Sequence, residues 1–139
     1  MLPPGRALLS GRVKLETKRQ IHLSHSRDIR LPMRWISILR GNVNLNFAAS
    51  GGVHSAKDVL KLVMSGADVT MLTSALMAYG PELIKTIEAD LITWMDENEY
   101  QSISQMKGSM SLIHSPKPQT LVRDNYMRTL LDFQANNKF

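Results

Sequence analysis

Residues 47–59 read FAASGGVHSAKDV, and their order decides the fold. A run of apolar and small residues stops at Gly51-Gly52, and a helix start follows almost at once. Paired glycines at a strand end make a tight turn into a helix, or they let backbone N–H groups approach an anion beside a helix N-terminus. The surrounding segments must decide between these.

Working outward, VNLNFAAS alternates Val43, Leu45 and Phe47 against Asn44 and Asn46 before it turns small, which is the period of a strand. HSAKDVLKLVMSGA follows as a helix: Ser55 and Asp58 resemble a capping box, Val59, Leu60, Leu62 and Val63 form its apolar face, and Gly66 stops it. DVTMLTSAL supplies a second short strand over residues 69–72, ending at Thr73 and Ser74. After a short helical ALMAYG, Gly80-Pro81 opens a long helix with Leu83, Ile84, Ile87, Leu91, Trp94 and Met95 at helical spacing. Upstream, LPMRWISILRG reads as a helix with Pro32 near its start and Met33, Ile36 and Leu39 on one face, widened by Trp35 and Ile38. SISQMKG is a brief helix from Ser102 to Gly108, and the tail after Pro116 has the spacing of a last amphipathic helix. Residues 1–30 show no sustained period and read as loop or lead.

Helices that alternate with strands imply parallel pairing through crossovers, hence an α/β fold. Only two strands are visible, and two parallel strands cannot bury both faces of a sheet. The body therefore reads as part of something larger.

Composition narrows the function classes. The chain has 139 residues, 43% of them apolar, and no cysteine, which excludes disulfides, thiolate metal sites and a cysteine nucleophile. No apolar run reaches the about 18 residues of a membrane span. With no targeting signal assigned, a cytoplasmic location is expected. The net charge of +5 is uneven: residues 1–40 hold nine Lys/Arg against two acids, residues 41–139 eight against ten. A basic arm over residues 6–40 allows nucleic-acid binding as an alternative function, but its charges are scattered and carry no interleaved aromatics, so no nucleic-acid partner is expected.

Where the strands end, glycines at 51 and 52 would clear the way to peptide N–H groups, and Thr73 and Ser74 would add hydroxyl donors. A phosphate held so needs no lysine. Taken alone, this arrangement leaves the tight turn and the anion site both open.

The pieces LPMRWISIL, AASGGVHSAKDVLKLVMSGADVTMLTSAL, YGPELIKTIEADLITWM and EYQSISQMKGSM together resemble the C-terminal part of the dihydroorotate dehydrogenase family. The likeness covers roughly residues 24–133, is nearest to the dihydroorotate dehydrogenase-like proteins, and extends to the flavin domain of dihydropyrimidine dehydrogenases. It implies a fragment, about helix 6 to helix 8, of an FMN-binding (β/α)₈ TIM barrel that acts on a CH–CH bond of a dihydropyrimidine-type ring. By position, Ser50, Gly51 and Gly52 match the family's loop after the seventh strand, and Thr73 and Ser74 its loop after the eighth. Both loops hold the FMN phosphate in that family, mainly through backbone N–H groups. The family often has Cys or Thr at Ser50 and Gly-Thr at Thr73-Ser74. Its catalytic base, its lysine near the flavin and its substrate asparagines have no counterpart here, so the chain alone is expected to be inactive. The resemblance further implies a partner chain supplying the missing strands, or self-association; the competing class is a non-catalytic module that docks on an intact homologue.

The expected organisation is a basic lead over 1–23, a partial barrel over 24–115 and a tail helix over 116–139. No metal site is assigned, since His22 and His25 at this spacing are weak evidence for one. His54 is expected to cap a helix or face solvent, Ser111 and His114 have no acid placed to orient them, and Asp96, Glu97 and Glu99 read as a solvated helix end. No catalytic residue is assigned.

Overall fold

Helix α2 (Ala56–Ser65) lies at the centre of the molecule and is buried on most of its circumference. Its start follows from local chemistry. Ser55 adopts an extended backbone and its Oγ accepts the Asp58 N–H, at 3.4 Å, while donating to Asp58 Oδ2 at 2.9 Å. Ser26 Oγ and the His54 N–H also donate to that carboxylate oxygen, so three donors meet at Oδ2 of the buried Asp58. Ser55→Ala removes the cap and is expected to cost about 1 kcal/mol, read from the midpoint of urea unfolding. The helix stops at Gly66, whose N–H reaches the carbonyls of Leu62 and Val63.

The computed structural model that gives these contacts describes residues 21–116 and residue 118. The expected tail helix, and residues 1–20 of the lead, lie outside the described residues. A 3₁₀ turn (Ser26–Ile29) leads into α1 (Arg30–Leu39); then come β1 (Ala48–Ser50), α2, β2 (Val69–Met71), α3 (Thr73–Tyr79), α4 (Leu83–Glu97), α5 (Ile103–Met106) and a 3₁₀ turn (Leu112–His114). β1 and β2 are parallel, with Ala48 opposite Val69, Ala49 opposite Thr70 and Ser50 opposite Met71. The described residues are thus mixed α/β with a two-stranded parallel sheet.

Three expectations need correction. The first strand is much shorter than the alternation from Val43 implies, because the ladder begins only where the Phe47 carbonyl accepts the N–H groups of Asp68 and Val69. Leu45 upstream of that point is exposed. The stretch before residue 30 is not plain loop: its 3₁₀ turn drives Ile29 into the core. On α1, Ile36 is buried and Met33 packs against the core, but Trp35 is 54% exposed and does not widen the buried face. Pro32 sits in the first turn of α1, where an amide N–H has no intrahelical partner to lose.

The core joins Ile29 and Ile36 to Ala49, Val53, the inner face of α2, Ile87 of α4 and Met106 of α5. At the N-terminal end of the strands Asp68 ties three segments together. Its carboxylate accepts from Lys107 Nζ at 2.7 Å, Arg40 Nη1 at 3.0 Å and the Phe47 N–H at 2.9 Å. The Lys107 hydrogen bond above all, then the Phe47 N–H, and the Arg40 charge hold its pKa below the usual 3.8, against a smaller opposing effect of burial.

Candidate functional site

Because Ser50 and Met71 are paired at the same level of the sheet, the chain leaves both strands side by side. Gly51-Gly52 follows one strand, and Leu72, Thr73 and Ser74 follow the other. Between them opens a cavity of about 200 Å³. Ser50, Gly51, Gly52, Thr73 and Ser74 all line it, so the five residues singled out from the sequence converge on one place.

The two glycines have different reasons. Both carry positive φ, 90° at Gly51 and 78° at Gly52, which side chains rarely adopt. At Gly52 an added Cβ would run into the backbone nitrogen of Ile29 and come within 2.9 Å of the His25 carbonyl oxygen. What sits over Gly52 is the chain's own 3₁₀ turn. At Gly51 a Cβ would meet nothing within 4 Å. The two glycines therefore differ: Gly52 serves close backbone packing, and Gly51 borders open space.

The structure adds a wall that local sequence pattern does not reveal. His22 and Ser24 also line the cavity. Ser24 Oγ accepts the Gly52 N–H at 3.1 Å and lies 3.0 Å from Ser74 Oγ, and the Ser24 N–H donates to Ser74 Oγ at 3.1 Å. One serine bridges the loop after β1 to the start of α3. The lining holds hydroxyls, peptide groups and His22 beside the apolar Val53, Met71 and Leu72, with no Lys, Arg, Asp or Glu among its residues.

His54 is neither a helix cap nor turned to solvent. Ser55 is the cap of α2, and His54 Nε2 lies 2.7 Å from the Ser24 carbonyl oxygen. His22 borders the cavity, whereas the His25 N–H donates to Asp28 Oδ2. Among the described residues no three His, Cys, Asp or Glu gather as metal ligands. Ser111 is fully buried, with its Oγ 3.0 Å from His114 Nδ1, which also lies 3.0 Å from the Gly108 carbonyl oxygen. This pairing ties up a turn and offers no accessible nucleophile. Asp96, Glu97 and Glu99 are exposed around the end of α4. Two larger hollows, of about 460 and 320 Å³, lie elsewhere: Asp96 and Glu99 border one, and Lys57 at the start of α2 borders the other together with Asp90 and Glu97. Among the described residues no helix is long and apolar enough to cross a membrane.

No family model matches the chain. It is similar, at low identity, to several dihydroorotate dehydrogenases. Dihydroorotate dehydrogenase B (NAD(+)), catalytic subunit, of Thermoplasma volcanium is 28% identical over 76 residues, 55% of this chain and 25% of that protein. Dihydroorotate dehydrogenase (quinone) of Sulfurimonas denitrificans is 36% identical over 59 residues, 42% of this chain and 17% of the relative. The enzyme of the same name from Azorhizobium caulinodans is 31% identical over 72 residues, 52% of this chain and 20% of the relative. The chain thus matches about a quarter or less of the length of these relatives, over about half of its own.

Proposed function

We propose that this chain anchors the phosphate of FMN in a dihydroorotate dehydrogenase-like oxidoreductase, as the part of a (β/α)₈ barrel that carries the last two strand-end loops. The observation that carries the reading is the convergence of Ser50, Gly51, Gly52, Thr73 and Ser74 on one cavity whose polar lining is hydroxyls, peptide groups and His22. The names of the relatives, all dihydroorotate dehydrogenases, support the same class.

The cavity's about 200 Å³ suits the cofactor's phosphate end. It is smaller than the roughly 300–1,000 Å³ that whole drug-sized ligands fill, so the ring system would lie outside it. Backbone N–H groups of the glycine loop, with the hydroxyls of Thr73 and Ser74, would hold the phosphate. Bound FMN would supply hydride chemistry at the C5–C6 bond of a dihydropyrimidine-type ring. The contribution of this chain is to bind and orient, and we assign it no catalytic base and no substrate-binding residue. The fit also needs no counter-charge, since preorganised peptide donors stabilise an anion at a strand end without one.

A partner supplying further barrel strands belongs to the same reading. Val69 and Met71 of β2 are 56% and 48% exposed, and Ile84 and Ile92 of α4 and Leu31 and Trp35 of α1 are exposed as well. Additional strands and helices packed on these flanks would bury them, as parallel sheets require. The same surface also fits docking on an intact homologue, without catalysis by this chain.

Titrating the purified chain with FMN and, separately, with riboflavin tests the anchoring directly through flavin fluorescence. Saturable binding of FMN with no binding of riboflavin is the expected result. Equal binding of both, or of neither, overturns the phosphate reading.

A further inference from the structure

The segment that closes the cavity is held from behind by a residue to which the cofactor-anchoring reading gives no role. We propose that His54 is a positioning residue for this anion site: its imidazole latches the backbone of Ser24 and thereby sets the third wall against which a phosphate monoester binds. The proposal rests on the reading of the cavity given above and adds to it a residue outside the two loops.

Ser24 makes contacts in two directions. Its N–H and Oγ face the cavity, where they engage Ser74 Oγ and the Gly52 N–H. Its carbonyl engages His54 Nε2 at 2.7 Å. A carbonyl oxygen only accepts, so Nε2 carries the proton and donates. The residue is itself fixed at two points: the His54 backbone N–H donates to the buried Asp58 carboxylate, and the imidazole ring meets Tyr79 of α3 edge-on, at 6.3 Å between centroids. His54 therefore connects the start of α2, α3 and the Ser24 segment, and the last two of these contribute residues to the cavity wall.

The consequence for binding follows from hydroxyl chemistry. Ser24 Oγ accepts the Gly52 N–H and still has a proton to give. A phosphate oxygen is a stronger acceptor than the neutral Ser74 hydroxyl, so an incoming dianion draws the Ser24 proton and the Gly52 N–H to itself. This works only while Ser24 is held beside both loops. Without the His54 donor, the segment must be ordered at the moment of binding, and affinity falls by that cost.

The test compares wild type, His54→Ala and His54→Gln as full chains, with FMN as the probe and inorganic phosphate as its competitor. Circular dichroism checks that each variant is folded. His54→Ala is expected to weaken FMN binding about 5- to 10-fold, the effect of one hydrogen bond, and to weaken competition by inorganic phosphate in parallel. His54→Gln keeps a side-chain N–H and is expected to restore most of the affinity. In wild type the neutral imidazole, observed through its nitrogen chemical shifts, is expected as the Nε2–H tautomer. Unchanged affinity in His54→Ala, no rescue by His54→Gln, or the Nδ1–H tautomer overturns the latch. If His54→Ala does not fold, near-wild-type affinity in His54→Gln upholds the proposal and weakened affinity overturns it. Wild type that binds no FMN removes the cofactor-anchoring reading, and the latch with it; wild type that binds while His54→Ala binds equally well removes the latch alone.

Discussion

Gly52→Ala is expected to destabilise the chain by about 3 kcal/mol or more, and Gly51→Ala by only about 1–2 kcal/mol. Both replacements force an alanine into positive φ, which accounts for the shared part of the cost. Only at Gly52 does the new Cβ also collide with backbone, at Ile29, His25 and Asp28. Backbone in a hydrogen-bonded 3₁₀ turn cannot swing aside as a long side chain can, and Ile29 at the end of that turn is part of the core. Relief of the collision must therefore lift the turn off the sheet end, taking Ser24 with it. A Cβ at Gly51 meets nothing within 4 Å, so Gly51→Ala keeps the fold and adds a methyl group to a residue that lines the cavity. Thermal unfolding of the two variants separates the effects: a much lower midpoint for Gly52→Ala than for Gly51→Ala supports the assignment, and equal losses contradict it.

Asp68→Asn is expected to cost about 1–2 kcal/mol, because a part-buried carboxylate loses its charge-assisted hydrogen bonds and leaves Arg40 and Lys107 facing a neutral amide. The three segments it joins arrive from far apart in the chain: the end of α1, the approach to β1 and the end of α5. The same contacts predict a pH dependence. Asp68 is more acidic in the folded chain than its usual 3.8, so it binds a proton less readily folded than unfolded. Its contribution is fully present above 3.8 and is lost as the pH falls through the lower folded value. Wild type should therefore lose this contribution on acidification below pH 3.8, and Asp68→Asn should lose less stability over that range. Parallel acid-unfolding curves for the two proteins would contradict this.

Much of the fold is local and could be read from the residues. α2 declares its start through Ser55 and Asp58 and its stop through Gly66, and β1 ends at Ser50 as read, whereas β2 stops at Met71, short of the expected Leu72, and Thr73 and Ser74 already belong to α3. The convergence of the two loops follows from parallel pairing alone. What could not be read depends on contacts between distant residues. Ser24 is 50 positions from Ser74, and nothing in HLSHS marks one serine as the bridge between two loops. The beginning of β1 is hidden for the same reason. Alternation from Val43 has strand period, but pairing starts only where Asp68 meets Phe47. His54 looks like a helix-start residue in sequence, and its partner is the carbonyl of a residue 30 positions away. Periodicity reports which face a residue occupies; it is silent about which distant backbone group that face will meet.

The central claim is that the loops at the ends of β1 and β2 form a cradle for a phosphate group. Mapping FMN-induced changes in backbone amide resonances of the full chain tests it most directly. The account predicts the largest shifts at Gly51, Gly52, Thr73 and Ser74, reproduced in part by inorganic phosphate alone. Shifts centred instead on the α4 hollow around Ile92 and Tyr100, or no shifts at saturating FMN, would contradict it.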